Sequence, residues 1–219
     1  MVRAQAPRRP YNSPRRQQQA AATRQTILEA AERLFLQDGY PATTMDAIAA
    51  EAGVSLKTAY LPFSTKSGLL RALWDLRLKK DDVDAPVVQH EWFREVMEEP
   101  DPARKLQLNA RNSAAAKTRI GGLFRVIRGA AEIDADCSEL WRLIQSDFHA
   151  NQQVIVESIH RGGGLRRGLS VATGTDILWT LNHPDTWTLL ASQRGWSPHA
   201  YETWLAQTSC AQLLGTPIT

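Results

Sequence analysis

Cysteine is scarce in this chain: Cys137 and Cys210 are the only two in 219 residues. Two thiols cannot build a disulfide scaffold, and a reduced, cytoplasmic protein is expected. Long hydrophobic runs are missing too. A membrane-spanning helix needs about 20 mostly apolar residues, and the longest charge-free run, 203–219, is interrupted by Gln, Thr and Ser. Acidic residues are absent from the first 22 positions, which carry Arg3, Arg8, Arg9, Arg15 and Arg16. No apolar segment follows those arginines, so they are not read as a secretory signal.

Signatures of catalysis are equally thin. The glycines at 162, 163, 164 and 168 fit neither a dinucleotide fingerprint nor a phosphate-binding loop, because Leu169 stands where the loop needs lysine. His90, His149, His160, His183 and His199 lack the paired spacing of a zinc site. No serine or cysteine occupies a nucleophile elbow. The acid pairs Asp81-Asp82 and Glu98-Glu99 read as solvated surface. No catalytic residue, metal or cofactor is assigned, and the chain is not read as an enzyme.

What is present is charge asymmetry and helical periodicity. Residues 23–80 hold 8 basic and 6 acidic side chains, and residues 81–219 hold 13 basic and 17 acidic. A basic front on a mildly acidic body suggests that one end meets a polyanion. Residues 1–22, with Pro7, Pro10, Pro14 and a Gln run at 17–19, hold almost no large apolar side chain. They are expected to be a disordered basic arm, either a solvated tail or a supplement to DNA affinity.

From Thr23 the apolar residues fall on one helical stripe: Ile27, Leu28, Ala31, Leu34 and Phe35, closing at Gly39. A second helix starts at Thr43-Thr44-Met45-Asp46 and stops at Gly53. Ser55 caps a short third helix that Pro62 must end, and Thr65 opens a fourth through Leu69, Leu70, Leu73, Trp74 and Leu76. Beyond residue 80, helices are expected over 103–128, 139–159 and 176–181. His183-Pro184-Asp185 and Ser197-Pro198 mark two further starts. The fold class is therefore all-α, about nine helices.

Residues 44–63 have the spacing of a helix-turn-helix. Gly53 supplies the positive φ of the turn, and Ala49 the small side chain where the two helices approach. The second helix would expose Ser55, Lys57, Thr58 and Tyr60 to phosphates or base edges.

The set Phe35, Gly39-Tyr40, Thr43-Thr44-Met45-Asp46-Ala47-Ile48-Ala49, Ala52-Gly53-Val54-Ser55, Thr58, Tyr60, Phe63, Lys66 and Leu69-Leu70 resembles the DNA-binding domain of the tetracycline-repressor (TetR) family. The resemblance implies a dimeric all-α transcription regulator with a DNA-reading domain at 23–80 and a ligand-binding and dimerisation domain at 81–219. It implies that Thr44, Tyr60 and Lys66 contact phosphate, that Lys57 and Thr58 read bases, and that Phe63 packs inside. Pro62 and Ala59 depart from the family pattern, which often has a polar or aromatic residue and a larger aliphatic one there. The Arg-bearing start also exceeds the family's usual length, so Arg15 and Arg16 are expected to reach an adjacent minor groove. The stretches 176–184 and Gly195-Trp196-Ser197-Pro198, Tyr201, Trp204-Leu205 resemble one subgroup's dimerisation region.

Six of seven tryptophans lie beyond residue 81. Trp187, Tyr201, Trp204, Leu205 and Leu213 are assigned to a dimer interface, with ordinary core packing as the alternative. Trp92, Phe124, Trp141 and Phe148, with Arg128 and Asn151 as orienting groups, are assigned to a ligand pocket; core packing is again the alternative. The expected protein is a repressor that leaves a palindromic DNA operator when a small-molecule effector binds. The rivals are a DNA-binding interaction protein controlled by a protein partner without a small ligand, and a helical enzyme.

Overall fold

The computed structural model describes residues 14–78 and 90–214. Expectations that fall on residues 1–13, on the domain boundary after residue 80, on Asp81-Asp82 and on Gly215 lie outside them. Among the described residues the chain is all-α, with ten α-helices, one π-helical segment and no strand.

Four helices make the N-terminal part: α1 (Pro14–Ala42), α2 (Met45–Glu51), α3 (Leu56–Tyr60) and α4 (Lys66–Leu78). α1 is broken at Gly39, whose φ of 78° turns the chain before Pro41. Its start departs from expectation, since residues 14–22, expected to belong to a disordered arm, are helical and run without a break into the stretch from Thr23. The Ala-rich run at 20–22 propagates the helix back from the packed Ile27 stripe, and helix extension adds a hydrogen bond per residue once a nucleus exists. Arg15 and Arg16 are thus exposed side chains on a helix, not members of an extended arm.

The larger part holds α5 (Glu91–Glu98), α6 (Pro102–Ala131), α7 (Ala135–Arg161), α8 (Val171–Leu181), α9 (Pro184–Trp187) and α10 (Pro198–Leu213). The expected helix after His183 is only α9, which widens into a π-helical turn at Thr188–Gln193. Side-chain caps start most of these helices. Asp101, Asp134, Ser170 and Ser197 each accept from a backbone N–H of the first turn, satisfying donors the helix itself cannot.

One apolar core joins the two parts. Ile27, Leu28, Phe35, Ile48, Ala59, Leu69, Leu70, Leu73 and Trp74 pack with Ile120, Leu123, Ile127, Leu140 and Ile144 of α6 and α7. Each large apolar side chain fully buried there contributes about 1.5–3 kcal/mol. Two adjacent glycines of α6 allow close approach on different sides: a Cβ on Gly122 would sit 2.6 Å from Leu36 of α1, and one on Gly121 2.9 Å from the Trp187 Nε1 of α9. A second cluster joins α5, α6, α7, α8 and α10 through Phe93, Leu106, Ile155, Ile159, Leu178 and Leu213.

The dimer-interface assignment is corrected at most of its positions. Trp187, Tyr201, Leu205 and Leu213 are 7%, 0%, 1% and 0% exposed, so they belong to the chain's own interior. Trp187 and Tyr201 meet edge to face, centroids 4.9 Å apart, over Ala110 and Ala114 of α6. Aromatic mass alone cannot separate an interface from a core. Only Trp204 of the set stays half-exposed.

Candidate DNA-reading face and ligand cavity

The turn between α2 and α3 has the geometry its sequence suggests. Gly53 adopts φ 66° with nothing within 4 Å of where a Cβ would stand, so the demand for glycine is one of backbone conformation. The Val54 N–H then donates to the Ala49 carbonyl at 2.9 Å, tying the turn to α2. Ala59 is fully buried, and Phe63 is 7% exposed beneath the Arg24 guanidinium, 5.1 Å from its ring centroid. A small residue at 59 lets α3 sit low on this core while its other side faces out.

On that outer side stand Lys57, Tyr60 at 41% exposure and the half-exposed Thr58. Leu61, 74% exposed, prolongs the same surface past the helix end. Thr44 and Ser55 are exposed, yet each is first an N-cap. The Ala47 N–H donates to Thr44 Oγ1 at 3.1 Å, and the Thr58 N–H donates to Ser55 Oγ at 3.2 Å. The Thr44 hydroxyl donates to no partner among the described residues, whereas Ser55 and Thr58 share a hydroxyl pair at 2.8 Å.

Lys66 differs most from expectation in this region. Its ammonium turns inward, donating to the carbonyls of Tyr40 at 2.8 Å and Thr43 at 2.9 Å, with the Tyr40 ring 4.1 Å away. Burial lowers its pKa from the usual lysine value, partly countered by Asp134. It is an internal staple on the end of α1 rather than a cation offered to phosphate.

That staple belongs to a larger latch. The Tyr40 hydroxyl donates to Asp134 Oδ2 at 2.6 Å, and Ser67 Oγ donates to Asp136 Oδ2 at 2.9 Å. Asp134 also caps α7, accepting from the N–H groups of Asp136 and Cys137. Burial works against its ionisation, but the Tyr40 bond and those donors outweigh burial and hold its pKa below the ordinary carboxylate value. Burial, reinforced by this carboxylate, drives the Tyr40 pKa up. The end of α1 and the start of α4 are thereby fastened to the start of α7.

Between the other end of α4 and the helices α5, α6 and α7 lies a cavity of about 400 Å³. Four expected residues, Trp92, Phe124, Phe148 and Asn151, line it. Arg128 and Trp141 do not; with Phe124 they border a separate groove beside Asp185 and Leu189, and Arg128 is ion-paired to Asp185. Their helical register points them across α6 and α7 toward α9, away from α5. Residues that sequence reasoning missed include Trp74 and Leu78 of α4, Asn109, Lys117 and Gln152. Trp74 meets Phe124 edge to face with centroids 5.0 Å apart.

Lys117 is 4% exposed and lines this cavity. Its ammonium donates to Asn182 Oδ1, whose amide donates in turn to Ser113 Oγ at 2.8 Å and Gln152 Oε1 at 3.3 Å. Burial alone pushes its pKa down to about 7. Its place could have been found by periodicity, since Leu106, Ala110, Ala114, Lys117 and Gly121 form one buried face of α6.

A glycine-turned helix pair with an exposed short second helix, bolted through its linking helix to a cavity-bearing bundle, defines a helix-turn-helix DNA-binding protein. Residues 27–73 match the family described as bacterial regulatory proteins, tetR family. The HTH-type transcriptional regulator TtgR of Pseudomonas putida is 31% identical over 157 residues, covering 69% of this chain and 72% of that protein. The fold is shared with SmeT in its triclosan complex, at 18% identity and a TM-score of 0.68 over 90% of this chain and 96% of that one. It is shared equally with FadR from Bacillus subtilis in complex with stearoyl-CoA, at 17% identity and a TM-score of 0.68 over 86% of this chain and 98% of that one. The chain belongs to the TetR family of bacterial transcriptional regulators. Among its described residues no helix is long and apolar enough to cross a membrane, and no group of three or more His, Cys, Asp or Glu could hold a metal ion.

Proposed function

We propose that this regulator is a cytoplasmic repressor that binds a palindromic operator as a homodimer and is released by a small effector in the α4–α7 cavity. Two α3 helices about 34–36 Å apart would enter successive major grooves. Lys57 and Thr58 would meet base edges there, with Lys57 donating to guanine acceptors. Thr44 and Tyr60 would hold phosphate, aided by Arg24 and by Arg15 and Arg16 along α1. The second copy would pack on the outer faces of α8 and α10. Small or polar exposed side chains there, including Ala172, Thr173, Asp176, Thr203, Gln207 and Ala211, leave room for close helix approach.

The observation that carries the proposal is the position of α4. Trp74 and Leu78 wall the cavity at one end of this helix, while Lys66 and Ser67 fasten its other end to α1 and α7. A ligand pressing on Trp74 would tilt α4 and with it the DNA-reading unit, because the latch transmits displacement instead of absorbing it. It can shift the balance only by binding the DNA-free geometry more tightly than the DNA-bound one. A cavity of this size also favours this reading over a partner-controlled protein with no small ligand, and the bound molecules in the SmeT and FadR structures are in keeping with it.

Operator selection from random DNA, followed by titration of the complex with small molecules in a mobility-shift assay, tests the proposal. It is supported if a ligand that raises the protein's melting temperature also releases the DNA. It fails if ligands bind free and DNA-bound protein equally.

A further inference from the structure

Lys117, which lines the cavity, has no carboxylate partner among the described residues. Among the described residues three lysines are buried or half-buried, and they differ in their partners. Lys66 donates to two carbonyls, and Lys105 donates to the carbonyls of Val96 and Met97 in the last turn of α5. Lys117 instead has the single Asn182 oxygen and two ring faces, Phe148 at 5.7 Å and Tyr201 at 5.4 Å. An ammonium carries three donors, so two of its N–H groups find no oxygen among the described residues. Among the described residues that line the cavity only Asp147 is acidic, and it is exposed, as is Arg119; His90 is half-exposed at the same wall. Depth therefore carries a positive charge, and the polar groups that share the lining with it, Asn109, Asn112, Ser113, Asn151 and Gln152, are neutral. Much of the rest of the wall is aromatic or aliphatic, Trp74, Trp92, Phe93, Phe124 and Phe148 among it.

We infer that the cavity selects an apolar or aromatic molecule carrying one carboxylate, whose oxygens accept from the two unused donors of Lys117. This deepens the effector reading and rests on it for its regulatory meaning. A buried, unpaired ammonium is costly, and a buried anion alone is costlier still. Brought together with hydrogen bonds, the two offset each other's desolvation. The apolar body adds burial against the aromatic wall, and Asn182, itself fixed by Ser113 and Gln152, holds the lysine so that little side-chain entropy is lost on binding. The lowered lysine pKa accords with this. An incoming carboxylate would restore the charged form, and the pocket would take up a proton.

The test uses the full chain with a fluorescent acid, pyrenebutyrate, and its uncharged primary amide and alkylammonium analogue, at neutral pH. A charge-assisted hydrogen bond is worth enough to expect at least about tenfold tighter binding of the acid than of the amide, tenfold being 1.4 kcal/mol. Lys117→Met, which keeps the side chain's length, should bring acid and amide to within about twofold; Lys117→Gln is the second variant should the first fold poorly. Calorimetry at pH 8 in buffers of different ionisation heat should show proton uptake in the native chain and none in Lys117→Met. Arg119, Asp147 and His90, which also line the cavity, stay in both proteins and cancel in the comparison; His183 feels the Lys117 charge, but burial holds its pKa below the ordinary histidine value, so it is neutral at pH 8. Equal binding of acid and amide, tighter binding of the ammonium, no binding of the acid, or a preference that survives in Lys117→Met would each overturn the inference. Operator release separates the two claims. If the acid binds through Lys117 and leaves the DNA complex intact, ligand class stands and effector control falls. If the amide releases DNA as well as the acid does, effector control stands and ligand class falls.

Discussion

Replacing Lys117 by methionine should stabilise the ligand-free protein, and the gain should depend on pH in a defined way. In the folded chain burial brings the Lys117 pKa from 10.5 down to about 7. Below pH 7 the ammonium is charged in both folded and unfolded states, and its desolvation opposes folding in full. Between pH 7 and about 10.5 the unfolded chain holds a proton that the folded chain has shed, so native stability rises with pH. At about 1.4 kcal/mol for each pH unit, that window caps the opposing cost at roughly 5 kcal/mol. Methionine removes the cost but strands Asn182 Oδ1, which takes back about 1–3 kcal/mol. The variant should therefore be more stable by roughly 2–4 kcal/mol at pH 6, and the advantage should disappear, or reverse, near pH 10. Urea unfolding of both proteins at pH 6, 8 and 9.5 measures the difference. Tyr40, Tyr201 and the two buried cysteines titrate at high pH in both chains, so their contributions cancel. A destabilised variant at pH 6, or a difference that does not change with pH, would refute the reasoning.

Two other perturbations follow from the geometry. Gly53→Ala forces a Cβ into φ 66° with no clash to relieve, so it should cost about 1–2 kcal/mol by denaturation and weaken DNA binding through misplacement of α3; an unchanged midpoint would contradict the turn's role. Tyr40→Phe deletes the 2.6 Å bond to the ionised Asp134 and should cost about 1.5–3 kcal/mol at pH 7. Because the Asp134 pKa lies below the ordinary carboxylate value, that loss should shrink as pH falls through its folded pKa, and a loss that does not change as the solution is acidified would show that the bond does not depend on the charged carboxylate.

The helix-turn-helix was legible because its determinants are local. A glycine at the turn, a cap at Ser55 and a stripe at Ile27, Leu28, Ala31 and Phe35 each act within one or two turns of helix. Trp92, Phe124 and Phe148 line the cavity, because aromatics on the middle helices must face either core or cavity, and Asn151 lies on the same wall. Arg128 and Trp141 went astray because rotation about a helix axis, by one position in a turn, exchanges one cavity for another. The dimer set failed for a related reason: Tyr201 and Leu205 satisfy the composition of an interface, and only the packing of α10 on Ala110 and Ala114 assigns them inward. The Tyr40–Asp134 latch joins residues 94 positions apart, and nothing local announces such a pair. Lys66 shows the converse, a motif residue whose side chain turns inward because two carbonyls at the end of α1 lie within its reach.

Recognition of DNA by this protein rests on α3 as the reading surface. Selection of bound sequences from random DNA, carried out with the native chain, Lys57→Ala and Thr58→Ala, addresses this directly. The native chain should yield an inverted repeat with half-sites one helical turn, about 34–36 Å, apart. Each variant should lose about 1–3 kcal/mol and relax preference at one or two positions in each half-site. Variants that select the same sequence with the same affinity as the native chain would contradict it.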